Sequence, residues 1–143
     1  MKLQQWHSAL RSYVLMVAGL NFLWEIAQLP FYTLWRTATP TTIAFAVFHC
    51  TAGDVVIGVT ALVLCLVIVG NSDWPKARSF LTSACVVIAG LVYTIYSERM
   101  NIANGAWAYS NLMPIIPFLD VGLTPIFQWL LIPSFCLYKI KTR

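Results

Sequence analysis

Charge is what this chain has least of: 10% of its 143 residues are Asp, Glu, Lys or Arg, while 59% are hydrophobic. A water-soluble chain carries about a quarter charged residues, so a soluble globular domain is excluded. The net charge of +4 is small and sits at the ends of apolar runs. That placement belongs to membrane topology and leaves no basic surface for a nucleic acid. Paired cysteines are missing too. Cys50, Cys65, Cys85 and Cys136 stand singly in apolar runs without a C-x-x-C, so neither a redox pair nor a tetrahedral zinc site is signalled. They read as small apolar packing residues, and no metal or cofactor is expected. A cleavage site is also lacking. Lys2 and Arg11 precede an apolar run, but Trp24 and Glu25 follow where small residues would stand, so this run is expected to remain as a span. No internal repeat or low-complexity segment is evident.

What the chain does have is apolar runs of bilayer length. The expected fold is all-α: a single domain, 1–143, forming a polytopic bundle of four transmembrane helices at about 12–35, 41–69, 79–97 and 121–138. Residues 1–11 read as an amphipathic lead-in. Pro30 is expected to bend or end the first span, and Pro133 to kink the last. Residues 70–75 carry the strongest loop signal. The segment 98–120 is too polar and too broken by proline to span. It is expected as an outer lid, re-entrant or interfacial, between the third and fourth helices. Lys2, Arg11, Lys76, Arg78, Lys139, Lys141 and Arg143 fall on one side of such a bundle, Arg36 and Arg99 on the other. The excess puts both termini in the cytoplasm and the expected location in a bacterial inner membrane, multi-pass.

The first span carries side chains that a span normally excludes. At about 100° per residue, Asn21, Glu25, Gln28 and Tyr32 fall within a stripe roughly 60° wide. A carboxyl in hydrocarbon is costly unless it faces protein, water or a partner, which makes it a functional candidate. No Lys or Arg lies inside any expected span. Glu25 and Asp54 are therefore left with a proton, His49, a bound cation or water as partners.

Depth groups these residues further. At about 1.5 Å per residue, Glu25, His49 and Gln128 lie roughly 15, 13 and 10 Å below the outer edge, and Asn21 and Asp54 about 21 Å below it. An upper layer of Glu25, His49 and Gln128 and a lower layer of Asn21 and Asp54 are expected. His49 and Asp54 point about 140° apart on their helix. Between them Ala46, Cys50, Gly53, Ile57 and Thr60 form a strip of mostly small residues, expected to receive the first helix. Plainer roles stay open: Asn21 and Gln28 as interhelical glue, and Tyr32, Trp35, Trp74, Trp107 and Trp129 as an interface belt. Glu98 is expected at the end of the third helix, where an acid meets the negative end of the dipole. That mismatch points to a binding role.

The pattern N-x-x-W-E-x-x-Q-x-P-x-Y at 21–32, H-x-x-x-G-D at 49–54, W-A-Y-S-x-x-M-P-x-x-P at 107–117 and G-L-T-P-x-x-Q-W at 122–129 covers most of the chain. It resembles a family of small bacterial integral membrane proteins, a likeness that brings no activity with it. Locally, Asn21-Phe22-Leu23-Trp24-Glu25 is similar to the N-x-x-W-E stretch of integral membrane terpene cyclases of meroterpenoid pathways. Acidic residues in those enzymes protonate an isoprenoid epoxide. The likeness implies an acid role for Glu25 and offers no match for a second acid; those enzymes also have more spans.

The expected function is a membrane-embedded enzyme, isomerase- or cyclase-like, working on a lipid or isoprenoid. Burial favours the neutral form of a carboxyl, which suits a general acid. Glu25 is the candidate acid/base, His49 the proton relay, and Asp54 the residue that orients His49 or steadies a developing cation. Asn21, Trp24, Gln28, Glu98, Asn101, Trp107, Tyr109 and Gln128 are the candidate substrate contacts, Trp24 offering an aromatic face to a cation. Two other classes stay open. One is metal-ion or proton binding or transport through Glu25, His49 and Asp54; the other is an accessory subunit of a larger membrane complex. Expected partners are membrane lipids and a lipophilic small molecule, with a homo-oligomer or larger complex open and no nucleic acid.

Overall fold

The computed structural model describes residues 2–142. Met1 and Arg143, counted above in the lead-in and the basic cluster, lie outside the described residues, as do the side chains of Lys2 and Leu3. The elements run α1 (Lys2–Gln28), a 3-10 turn (Leu29–Phe31), α2 (Leu34–Thr37), α3 (Pro40–Val69), α4 (Ser79–Ala103), β1 (Ile115–Ile116), β2 (Val121–Gly122) and α5 (Leu123–Lys141). Four helices, α1, α3, α4 and α5, are long and apolar enough to cross a membrane. The chain is thus mostly helical as expected. The departure from all-α is the small antiparallel pair, in which Ile115 faces Gly122 and Ile116 faces Val121.

Local chemistry explains where the helices begin and end. The lead-in is continuous with the first span, so α1 starts at Lys2 and not near residue 12. It ends at Gln28, short of the expected 35, because Pro30 has no N–H to continue the ladder and opens a 3-10 turn instead. At the start of α3, Thr39 caps the helix by accepting the Thr42 N–H (3.3 Å), with Pro40 in the first turn. Gly70, at φ 63, closes it in the left-handed conformation that favours glycine. Helix α4 runs past the expected end at Ser97 to Ala103 and yields only at Asn104 and Gly105. Nothing in 98–103 opposes a helix, so Glu98 sits inside α4 and the dipole mismatch expected of it does not arise.

The helices close a ring: α1 packs on α3 and α5, and α4 packs on the same two. One end of the bundle gathers the beginning of α1, the 70–78 connection and the end of α5, where Trp6 stacks edge-on against Trp74 (5.4 Å). The half next to it holds the apolar core of Tyr13, Val17, Leu62, Val86, Ile132 and Cys136. Along α1 the buried positions recur every three or four residues: Ala9, Tyr13, Val17, Asn21, Glu25 and Gln28. That face is apolar in the core half and polar in the other. The change from core to site is written along this single stripe.

Three packing expectations are corrected. Cys65 and Cys85 are paired in a disulfide joining α3 to α4, with Cα atoms 5.7 Å apart, while Cys50 and Cys136 are free. Trp74 and Trp129 are buried in packed protein and not at an interface belt, while Trp35 is exposed. The close approach of α1 to α3 falls at Gly58, where a Cβ would meet Val17 at 3.4 Å, not at the strip around Gly53. Gly53 has nothing within 4 Å of a Cβ. Most of the strip faces open space instead.

Candidate functional site

That open space is a cavity of about 570 Å³ at the end of the bundle away from the termini. Ala46, Cys50 and Gly53 line it from α3 with side chains too short to fill it, and Ile57 borders it on the same helix. Opposite them stand Tyr93, Ser97 and Glu98 of α4. The Cys65–Cys85 bridge fixes the pairing of these antiparallel helices. Counted back from it at equal rise, Ile57 comes level with Tyr93, Gly53 with Ser97 and His49 with Asn101. Phe45 and His49 on α3 and Tyr93 on α4 are exposed at the rim, so the cavity opens along the flank between these helices.

Its back wall is a hydrogen-bonded cluster from three helices. Gln128 of α5 donates through Nε2 to Asn21 Oδ1 (2.8 Å), Glu25 Oε1 (3.1 Å) and Asp54 Oδ2 (2.8 Å). Gln28 donates to the same Glu25 oxygen (2.8 Å), and Asn21 turns its own amide hydrogen back to the Val17 carbonyl (2.8 Å). The carboxyls of Glu25 and Asp54 stand within hydrogen-bonding reach of each other. The two expected layers are therefore one cluster, because the long Gln128 side chain bridges the depths that helix rise alone would separate. His49 is outside it. Its ring stacks on Phe45 (5.5 Å, 17°) at the cavity rim, and no hydrogen bond joins it to Glu25 or Asp54 among the described residues. The expected orienting of His49 by Asp54 is corrected accordingly: Asp54 turns to Glu25 and Gln128 instead.

A second polar group borders the same cavity where the 104–122 connection folds over the helix ends. Glu98 is 8% exposed and accepts through Oε2 from the Tyr32 hydroxyl (3.3 Å) and, more closely, from Tyr109. The Tyr109 oxygen itself accepts the Gly122 N–H (2.9 Å), which commits its one hydrogen to Glu98. Burial, then the neighbouring Glu98 charge, pushes the Tyr32 phenol far above its ordinary value. Burial, then its hydrogen bond to Glu98, does the same for Tyr109. Both phenols therefore remain neutral donors. The connection is pinned to the residues after α1 by Thr33 N–H to the Ala108 carbonyl (2.9 Å), Ser110 N–H to the Phe31 carbonyl (2.9 Å) and the Ser110 hydroxyl to the Pro30 carbonyl (2.9 Å).

Of the expected substrate contacts, Gln28, Glu98, Asn101, Trp107 and Gln128 line the cavity along with Glu25, His49 and Asp54. Asn101 Nδ2 is held by the Ser97 carbonyl one turn back (2.8 Å). Asn21 acts behind the wall through Gln128, and Tyr109 through Glu98. Trp24 packs on the apolar core instead. Tyr32, for which a belt role stays open in the sequence, donates its hydroxyl to Glu98; its position on the stripe of Glu25 is the signal for that role. Among the described residues no three of His, Cys, Asp and Glu converge as a metal site. No family model, curated protein or solved structure matches this chain.

Proposed function

We propose that this protein is a membrane-embedded enzyme that uses the Glu25–Asp54 pair for acid/base chemistry on a lipid or isoprenoid. The observation that carries this reading is the acceptor surplus at the back wall. A glutamine amide has two hydrogens, and Gln128 offers them to oxygens of Asn21, Glu25 and Asp54, two of those being carboxyls in contact. One proton between Glu25 and Asp54 completes the set and gives the pair a hydrogen to transfer. Gln128 and Gln28 hold Glu25 in place, so the acid meets its substrate without reorganising. His49, at the rim, is positioned to exchange protons between the cavity and its mouth.

In this reading the lipid enters sideways between α3 and α4, and the 104–122 connection is an interfacial lid held down by Glu98. The basic residues at the termini and in the 70–78 connection support a reading in which that end faces the cytoplasm of a bacterial inner membrane. The site then works from the opposite leaflet. A second reading, an accessory subunit, draws on the Gln128–Asn21 bond, which ties α5 to α1 as ordinary interhelical glue.

Deuterium exchange tests the enzymatic reading. Purified protein in lipid nanodiscs made from a bacterial polyprenyl and phospholipid extract is incubated in heavy water, and the lipids are analysed by mass spectrometry. Carbon-bound deuterium should enter one lipid class with the wild type and fall by about a hundredfold or more with Glu25→Gln. Equal labelling by a folded Glu25→Gln protein, or no labelling of any lipid, contradicts it.

A further inference from the structure

The Cys65–Cys85 bridge sits at the basic end of the bundle. Cys65 comes one turn before α3 ends at Val69, and Cys85 less than two turns after α4 starts at Ser79. Arg11, Lys76, Arg78, Lys139 and Lys141 are exposed at that end. On the positive-inside reading it faces a reducing cytoplasm, where a disulfide is more often a transient, redox-sensing bond than a permanent staple. Access to the two sulfurs is uneven: Cys65 is 1% exposed in the core, and Cys85 is only partly buried. Little else ties the two helices together. Arg78 donates to the Val69 carbonyl (2.7 Å) at the connection itself. From the bridge to the cavity mouth no hydrogen bond joins α3 to α4 among the described residues. Asp54 is tied to Gln128 of α5, and Glu98 to Tyr32 and Tyr109. The cavity begins at Ile57 and Tyr93, about 12 Å along the helices from the bridge. The bridge is thus the last fixed point before the seam.

We propose that Cys65–Cys85 is a redox clasp on the cavity, opened by a dithiol reductant and closed by oxidation. A thiolate of the donor attacks the sulfur of Cys85, the more exposed partner, and the Cys65 sulfur leaves with the bonding pair. The donor's second thiolate then displaces Cys85 from the mixed disulfide. Two electrons pass to the protein, the donor becomes its own disulfide, and its two thiol protons end on Cys65 and Cys85. With the clasp released, α3 and α4 sample wider separations along the seam, and the cavity admits bulkier molecules from the bilayer. This rests on the reading that the cavity is the working site, and it adds a regulation of that site.

Cys50 reports on the seam, because it lines the cavity from α3 and its thiol is free. Purified protein in nanodiscs is treated with dithiothreitol, a small dithiol, and then pulsed with pyrene maleimide, a bulky probe that partitions into the bilayer. Peptide mass spectrometry follows the Cys50 adduct. Its formation should quicken by about tenfold once Cys65 and Cys85 are thiols, and slow again after reoxidation with diamide. Cys65→Ala and Cys85→Ala together should be fast with or without dithiothreitol. If that variant fails to fold, the reversible comparison on the wild type decides. In cells trapped in acid before alkylation, the pair should hold a reduced fraction that falls when diamide is added. A bridge that resists dithiothreitol in the folded protein, a Cys50 rate indifferent to its loss, or a pair whose state in cells diamide leaves unchanged overturns the proposal. No lipid turnover is read in either arm. A failed clasp leaves the deuterium result standing, and absent deuteration leaves the Cys50 rates to decide the clasp.

Discussion

At the scale of single residues, Gln128 decides whether three helices share one polar site. Its amide reaches Asn21 and Glu25 on α1 and Asp54 on α3, so its loss strands acceptors on two helices together. Gln128→Leu should lower stability by about 1–3 kcal/mol in a detergent unfolding titration. Glu25→Gln, which keeps an amide's hydrogen-bonding capacity, should cost less. A neutral Gln128→Leu would remove the bridging role. Gly90 is decisive for shape and not for charge. A Cβ there would clash with the edge of the Trp129 ring, in a residue 4% exposed. Gly90→Ala should therefore destabilise by about 1–3 kcal/mol in the same titration, through overpacking. Much at this scale was legible in the sequence. Glu25, Gln28 and Asn21 announce themselves as polar groups at helical spacing in a span, and Asp54 as an acid without a cation. The divergence of Asp54 from His49 was legible in their separation of about 140° on one helix, but the joining of Asp54 to Gln128 and Glu25 was not, because it depends on how far the Gln128 side chain reaches across from α5.

At the scale of elements, the 104–122 connection is a covering piece fastened at both edges. Backbone bonds to Phe31 and Thr33 secure one edge, and the Tyr109 hydroxyl, between Glu98 and the Gly122 N–H, secures the other. Tyr109→Phe should speed hydrogen exchange across 104–122 while leaving α1 and α5 protected, as peptide-resolved mass spectrometry would show. The raised phenols of Tyr32 and Tyr109 also give the cover a pH dependence. Stabilisation from a raised phenol is intact below about pH 10, the ordinary tyrosine value, and is lost as pH climbs toward the higher folded value. Corrected for the intrinsic base-catalysed rate, protection over 104–122 should thus be flat up to that pH and fall above it, and the fall should shrink in Tyr109→Phe. Sequence located this piece, since its prolines, asparagines and glycine exclude a span. It misplaced the start by one and a half turns of α4, because Glu98–Asn101 is as compatible with helix as with loop.

At the scale of the whole molecule, two halves of one ring do different things. The half near the termini is packed with Tyr13, Leu62, Val86 and Cys136 and laced by the Cys65–Cys85 bridge. The other half leaves α3 and α4 parted around a cavity backed by acids. The bridge and the opening lie on the same pair of helices, so a firm hinge end and an open end follow one another along them. Thiol titration of the unfolded, unreduced protein should find the Cys50 and Cys136 thiols only, and four after reduction. Finding four without reduction would remove the lacing. The number of spans was legible from length and hydropathy, whereas their arrangement in a ring with one parted seam was not. The small residues that look like a helix-packing strip serve equally to leave space, and only the position of the neighbouring backbone tells the two apart.

In the proposed function a proton-bearing acid pair faces the bilayer through the seam between α3 and α4. Dicyclohexylcarbodiimide, which reaches acids from within lipid and adds to their protonated form, tests it most directly on protein in nanodiscs. Peptide mass spectrometry should find the adduct on Glu25 or Asp54, with labelling suppressed in Gln128→Leu as the pair is dispersed. Adducts confined to Asp73 and Asp120, with Glu25 and Asp54 untouched in a folded protein, would contradict it.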